Sequence, residues 1–289
     1  MKKILLTFAD SRMNRALQRV HSQANAMRVY DFIILANEFN LEIKFREKFE
    51  KLLSPEVRGY GYWIWKAQII LQTLEQMDEG DLMHYMDAGC HLNECGRERL
   101  LEYFKIVNNS NIGILGFQAT PPDFHRPDVV LPDLSEYKWC KGDLLDHLNV
   151  RNSEHIINSQ SIGAGVILIK KCEHSVRIIK EWLNVSTTNI GLINDSPSIS
   201  KNHDNFVEHR HDQSIFSLLC KLNNVETVSA YEYWYPMQRV NLLPDWRILK
   251  KYPIHAKRDK GEYWLIKPYI YLQRVIRRIE FELKKRSRT

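Results

Sequence analysis

Through the first half of this 289-residue chain, apolar runs of strand length alternate with segments of helical period. Residues 3–9 (KILLTFA), 30–36 (YDFIILA), 81–87 (DLMHYMD) and 112–117 read as strands. Between them, 14–27, 41–53, 63–77 and 93–107 repeat apolar residues at helical spacing, with Asn93 as a candidate helix cap. Further on, 162–169 reads as a strand, and 172–183 and 211–222 as helices. Strands separated by helices pair in parallel and are covered on both faces. The order therefore predicts an α/β fold with a mainly parallel sheet flanked by helices. Such sheets take ligands at the carboxyl ends of their strands. That rule gives most weight to residues 7–10, 87–90 and the segment after Phe117.

Two polar stretches interrupt the pattern. Residues 119–136 hold four prolines, and 186–209 are rich in Ser, Asn and His. Long loops within a compact domain are commonly lids or binding loops, so both are expected to wall a site. Five cysteines, an odd number with no C-x-x-C pair, argue against a zinc site or a disulfide framework and for a reducing compartment. The apolar run of MKKILLTFAD stops at Asp10, too early for the core of a secretory leader, and no 18-residue apolar stretch occurs.

Charge separates the chain into a body and a tail. Eight of its 41 Lys/Arg and two of its 35 Asp/Glu lie in 267–289, so this segment carries the whole formal charge of +6 and the rest is neutral. A neutral body without a reader motif disfavours nucleic acid as a partner. In the tail, Tyr269, Leu272, Ile276, Ile279 and Leu283 recur at steps of three and four, with Arg274, Arg277, Arg278 and Lys285 opposite. This predicts a basic amphipathic helix. Residues 268–288 suit the anionic inner face of a cytoplasmic membrane, or else a docked helix with a solvated basic side.

Residues 58–90 (RGYGYWIWKAQIILQTLEQMDEGDLMHYMDAGC) run from a Gly-aromatic turn through a helix to a strand-end Asp-Ala-Gly. Here the chain resembles the GT-A glycosyltransferases, especially bacterial enzymes that build lipopolysaccharide, O-antigen and capsule glycans. Three further segments are similar to theirs: Gly163-Ala164-Gly165 before a strand, Asp212-Gln213 opening a helix as in the retaining family 8 enzymes, and a late His255 followed by Lys257 and Arg258.

The resemblance implies a GT-A-like fold. Residues 1–118 would form the nucleotide-sugar half, 119–266 the acceptor and catalytic half, and 267–289 the tail. It implies transfer of a hexose, UDP-linked, to a lipid-linked glycan, by an enzyme held on the cytoplasmic membrane from inside. Donor contacts would come from Thr7, Phe8, Ala9, Arg58, Tyr62, Trp65, Lys66, Asp87, Ala88, Gly89, Gly163, Ala164, Gly165, Lys257 and Arg258. Asp212 and Gln213 would be catalytic. A divalent cation (Mn2+ or Mg2+) would sit on Asp87 and His255, although Gly89 stands where the family's second carboxylate is usual. Tyr60, Tyr62, Trp63 and Trp65 are open to two readings, stacking on a base or packing against the sheet. The gap at Gly89 also keeps open a catalytically decayed module that binds a nucleotide sugar or a carbohydrate.

Overall fold

The structure, a computed structural model, describes residues 1–237 and 240–259, and of 240–243 the backbone alone. The expected tail lies outside these residues. Six strands form the main sheet: β1 (Lys3–Phe8), β2 (Phe32–Ala36), β3 (Leu82–Met86), β5 (Ile114–Gln118), β6 (Ile162–Lys170) and β7 (Glu226–Ser229). Four short strands lie outside it: β4 (His91–Leu92), β8 (Pro236–Met237), β9 (Val240–Pro244) and β10 (Ile254–His255). The long helices are α1 (Asn14–Met27), α2 (Trp65–Gln76), α3 (Arg97–Asn109), α4 (Glu173–Thr188) and α5 (Asp212–Leu222).

The sheet order is β2-β1-β3-β6-β5-β7. All neighbours pair in parallel except β6, which is antiparallel to both β3 and β5. The expected α/β sheet flanked by helices is therefore present, with one reversed strand. The reversal has a local cause. A parallel return needs a crossover to the opposite edge of the sheet. Residues 119–161 make none: the Ala119 amide bonds the Ser161 carbonyl at 3.0 Å, so the excursion begins and ends at the same edge. The entrance to β6 thus stands beside the exits of β3 and β5.

Alternate residues of the central strands feed two cores. Ile4, Leu6, Met83, Tyr85, Ile167 and Ile169 pack with α2, α4 and α5, while Leu5, Leu82, Met86, Val166 and Leu168 pack with α1 and α3. This is the period-two alternation of a strand covered on both faces.

Differences from the sequence reading are local. The helix expected over 41–53 is only Ile43–Lys48, because the chain then folds into turns whose Leu52 carbonyl abuts Gly61. Asn93 does not cap α3: its amide donates to the Lys250 and Tyr252 carbonyls at 2.8 and 2.9 Å, tying down the chain ahead of β10. Strands β4, β7, β8 and β10 are too short to show a period. The five cysteines are unpaired. No helix among the described residues is long and apolar enough to cross a membrane.

Candidate active site

The Asp-Ala-Gly end of β3 and the Gly-Ala-Gly entrance of β6 meet at one edge. The Asp87 amide donates to the Gly165 carbonyl at 2.8 Å. A Cβ on residue 165 would lie 3.0 Å from Asp87 Oδ2, so glycine there lets the carboxylate sit against the strand. Residues 85 and 87 share a side of the extended chain, and the Tyr85 hydroxyl donates to Asp87 Oδ1 at 2.7 Å.

Helix α2 supplies the charge between the carboxylates. Lys66 is 3% exposed, and its ammonium lies 2.8 Å from Asp212 Oδ2, 3.3 Å from Asp87 Oδ1 and 3.1 Å from the Ala164 carbonyl. Four segments far apart in sequence therefore converge on one nitrogen. Burial alone would push this ammonium down, but Asp212 and then Asp87 outweigh it and hold it above the usual lysine value. Burial also raises the Asp212 carboxyl, against the pull of Lys66, to about 6. Asp212 is enclosed, whereas the Asp87 side chain is 37% exposed and forms the open face.

Asp212 is held from behind by His211, which has φ 53° and ψ −126°. That combination is strained for any residue with a Cβ. His211 Nδ1 donates to the Ile193 carbonyl at 2.7 Å, and its ring packs between Tyr62 and Trp63 at centroid distances of 5.4 and 5.5 Å. Those aromatics belong to a left-handed turn: residues 59 to 63 all have positive φ, including Tyr60 (57°), Tyr62 (54°) and Trp63 (60°). Gly61 carries the extreme value, 93°. Trp65 stacks on Phe8 at 3.9 Å and donates its indole N–H to the Gly59 carbonyl. Tyr62, Trp63 and Trp65 thus pack against the protein itself.

The other expected donor contacts spread around this centre. Thr7, Phe8 and Ala9 are buried at the end of β1. Gly89 accepts from the Asp259 amide at 2.9 Å and faces the Arg258 backbone; Gly163 faces the Tyr233 hydroxyl. The Ala88 carbonyl accepts from Arg19 at 2.6 Å. Lys257 and Arg258 are exposed, with the Lys257 ammonium 5.7 Å from the Trp246 ring. Arg58 pairs with Asp195 at 3.3 Å, and the Gln213 amide closes the helix start on the Arg210 carbonyl.

The expected cation ligands, Asp87 and His255, each have a partner within the protein. His255 Nε2 donates to the Leu249 carbonyl at 2.9 Å, which removes that nitrogen as a ligand, and Trp246 lies against the ring. Asp87 already faces an ammonium. Among the described residues, no three His, Cys, Asp or Glu side chains gather; a divalent cation here would draw its other oxygen ligands from a diphosphate and water.

Sequence reasoning did not single out Tyr85, His211 or Asp195. Tyr85 was legible from its two-residue spacing to Asp87. The roles of His211 and Asp195 depend on how the 186–209 loop folds, and nothing local announces it.

No protein-family model matches the chain, and no curated protein matches it. Similar solved structures include a glycosyltransferase involved in the glycosylation of the major capsid of PBCV-1, 10% identical over 90% of this chain and 97% of that one, with a TM-score of 0.45. Mouse xyloside xylosyltransferase 1 is 9% identical over 80% and 85% of the two chains, with a TM-score of 0.41. The galactosyltransferase LgtC, in complex with donor and acceptor sugar analogues, is 13% identical over 75% and 70%, with a TM-score of 0.37. At identities and scores this low, the likeness decides nothing about function.

Proposed function

We propose that this protein is a glycosyltransferase of GT-A type, moving a sugar from a nucleotide-sugar donor to a glycan acceptor. The observation that carries the reading is the convergence of Asp87, the Gly163–Gly165 start of β6 and Asp212 on Lys66 at the ligand-binding edge of the sheet. In this reading the acceptor hydroxyl oxygen bonds to the anomeric carbon as that carbon's bond to the diphosphate breaks. The nucleoside diphosphate leaves with the electron pair, and Asp212 takes the hydroxyl proton. A carboxyl near 6 suits proton transfer at neutral pH. Charge developing on the leaving diphosphate needs cations. Arg258 and Lys257, exposed next to the Asp-Ala-Gly strand end, are the side chains for that task.

Finer assignments rest on the resemblance and on the charge of the tail. They are a UDP-linked hexose as donor, a lipid-linked acceptor in lipopolysaccharide, O-antigen or capsule assembly, and a peripheral position on the inner face of the cytoplasmic membrane. A panel of nucleotide sugars, with and without manganese, tests the reading by thermal shift and by release of nucleoside diphosphate. Stabilisation by a UDP-hexose together with slow donor hydrolysis is expected; neither response to any donor overturns the proposal. A second reading, a binding module without turnover, is favoured by Gly89 in place of a carboxylate. It would give stabilisation without hydrolysis.

A further inference from the structure

A cavity of about 230 Å³ lies beside the reaction centre, under the 186–209 loop. Its lining includes Lys141, Asp195, Ser198, Asn202, Phe206 and Glu208. Lys141 is 2% exposed, and among the described residues its ammonium bonds the Asn194 and Ser196 carbonyls, at 3.0 and 3.2 Å, while Asp143 and Asp195 act on it only from beyond ion-pair distance. Buried ammonium groups normally face a carboxylate. One further donor is unspent. Asn202 uses its carbonyl oxygen on the Gly142 amide, and its NH2 remains for a ligand, whereas Ser198 is paired with the Asp143 amide and carboxylate.

The charges select the ligand's chemistry. Asp195 and Glu208 keep acceptor lone pairs although Arg58 and Arg210 neutralise them at 3.3 and 3.2 Å. A phosphate or carboxylate, which only accepts, would find donors in Lys141 and Asn202 but could not satisfy the acceptors Asp195 and Glu208. Hydroxyl groups donate and accept, so they satisfy both kinds of partner. Phe206 adds an apolar surface of the kind the C–H face of a sugar ring packs on. The volume falls below the roughly 300 Å³ at which pockets for drug-sized ligands begin, which suits a single ring. The cavity also adjoins the chemistry: Asp195 Oδ1 is 3.5 Å from His211 Nε2, a buried ring nitrogen without a hydrogen-bond partner, one residue before Asp212.

We infer that this cavity is the acceptor subsite and holds a neutral hexopyranose of the acceptor glycan. The inference rests on the proposed glycosyl transfer, but binding tests it without turnover. Saturation-transfer NMR on the full chain, with methyl glucopyranoside, galactopyranoside and N-acetylglucosaminide as probes, should detect at least one sugar. Phe206→Ala and Glu208→Gln, each with the wild-type melting temperature, should weaken that sugar at least tenfold. In the wild type, amide shifts on titration should centre on Lys141, Asn202 and Phe206, a readout that stands even where a variant fails to fold. No sugar response, unchanged binding in both folded variants, or displacement of the sugar by millimolar inorganic phosphate would overturn the assignment. A chain that binds the sugar here but neither binds nor hydrolyses any nucleotide sugar would refute the transferase reading alone.

Discussion

Lys66 and Asp212 form an ion pair that the fold encloses, and both stability and activity should report on it. Removing one partner of a buried pair strands the other's charge, at a cost of about 3 to 5 kcal/mol. Lys66→Met is therefore expected to destabilise the protein by that amount in urea titrations. The double variant with Asp212→Asn should recover part of the loss, because the one carboxylate left without its ammonium, Asp87, is partly exposed to water. The Asp212 carboxyl sets the pH behaviour. Its folded value, about 6, lies above the ordinary 3.8. Between these values the folded chain holds a proton that the unfolded chain has lost, so stability falls as pH rises from about 4 to about 6. Activity should move the other way, since the base works only when ionised. A plot of kcat/KM against pH is expected to rise through about 6. Asp212→Asn should lower turnover about 10²-fold and abolish that limb while nucleotide affinity stays nearly constant. Equal losses of nucleotide binding and of stability would mark Asp212 as a helix cap.

The left-handed turn at 59–63 is the element in which the backbone itself is under strain. Three aromatic residues occupy a region that disfavours any side chain, and the rings of two of them, Tyr62 and Trp63, clamp His211. The turn is tolerable only because Gly61 takes its most extreme angle next to the Leu52 carbonyl. A methyl at 61 meets that carbonyl at 3.0 Å as well as the unfavourable φ. Gly61→Ala is expected to cost about 1 to 3 kcal/mol and, by loosening the clamp, to reduce kcat more than donor affinity. Denaturant titration with steady-state kinetics reads both. A stable variant with wild-type kcat would show that the turn does not position Asp212.

At the scale of the whole molecule, all the net charge sits in a tail that follows a neutral body. Each Lys or Arg near an anionic leaflet contributes about 1 kcal/mol, and salt screens that attraction. The full chain is expected to bind vesicles containing anionic lipid, and to bind them less as salt rises. Truncation after Lys267 should abolish binding and leave transfer to a water-soluble acceptor intact. Unfolding of the truncated chain would instead place the segment in the core. Excess chelator provides a second test at this scale. With Lys66 supplying the positive charge at Asp87, turnover is expected to persist in EDTA. Its loss, with recovery on adding manganese, would show that a cation joins the site on binding donor.

The strand and helix pattern of the first half was legible in the residues because burial on a sheet and on a helix face impose periods of two and 3.6. The same pattern marked Asp87 as an edge position, while Gly163–Gly165 and the start of α5 stood out only through the resemblance to a family. Local pattern holds no information on contacts across a hundred residues. Tertiary packing decided that β6 runs antiparallel, that Lys66 stands between Asp87 and Asp212, and that His255 turns to the Leu249 carbonyl. A sequence displays which residues carry charge. Desolvation and the distance to the next charge decide what each one does with it, and only the folded chain sets those two quantities.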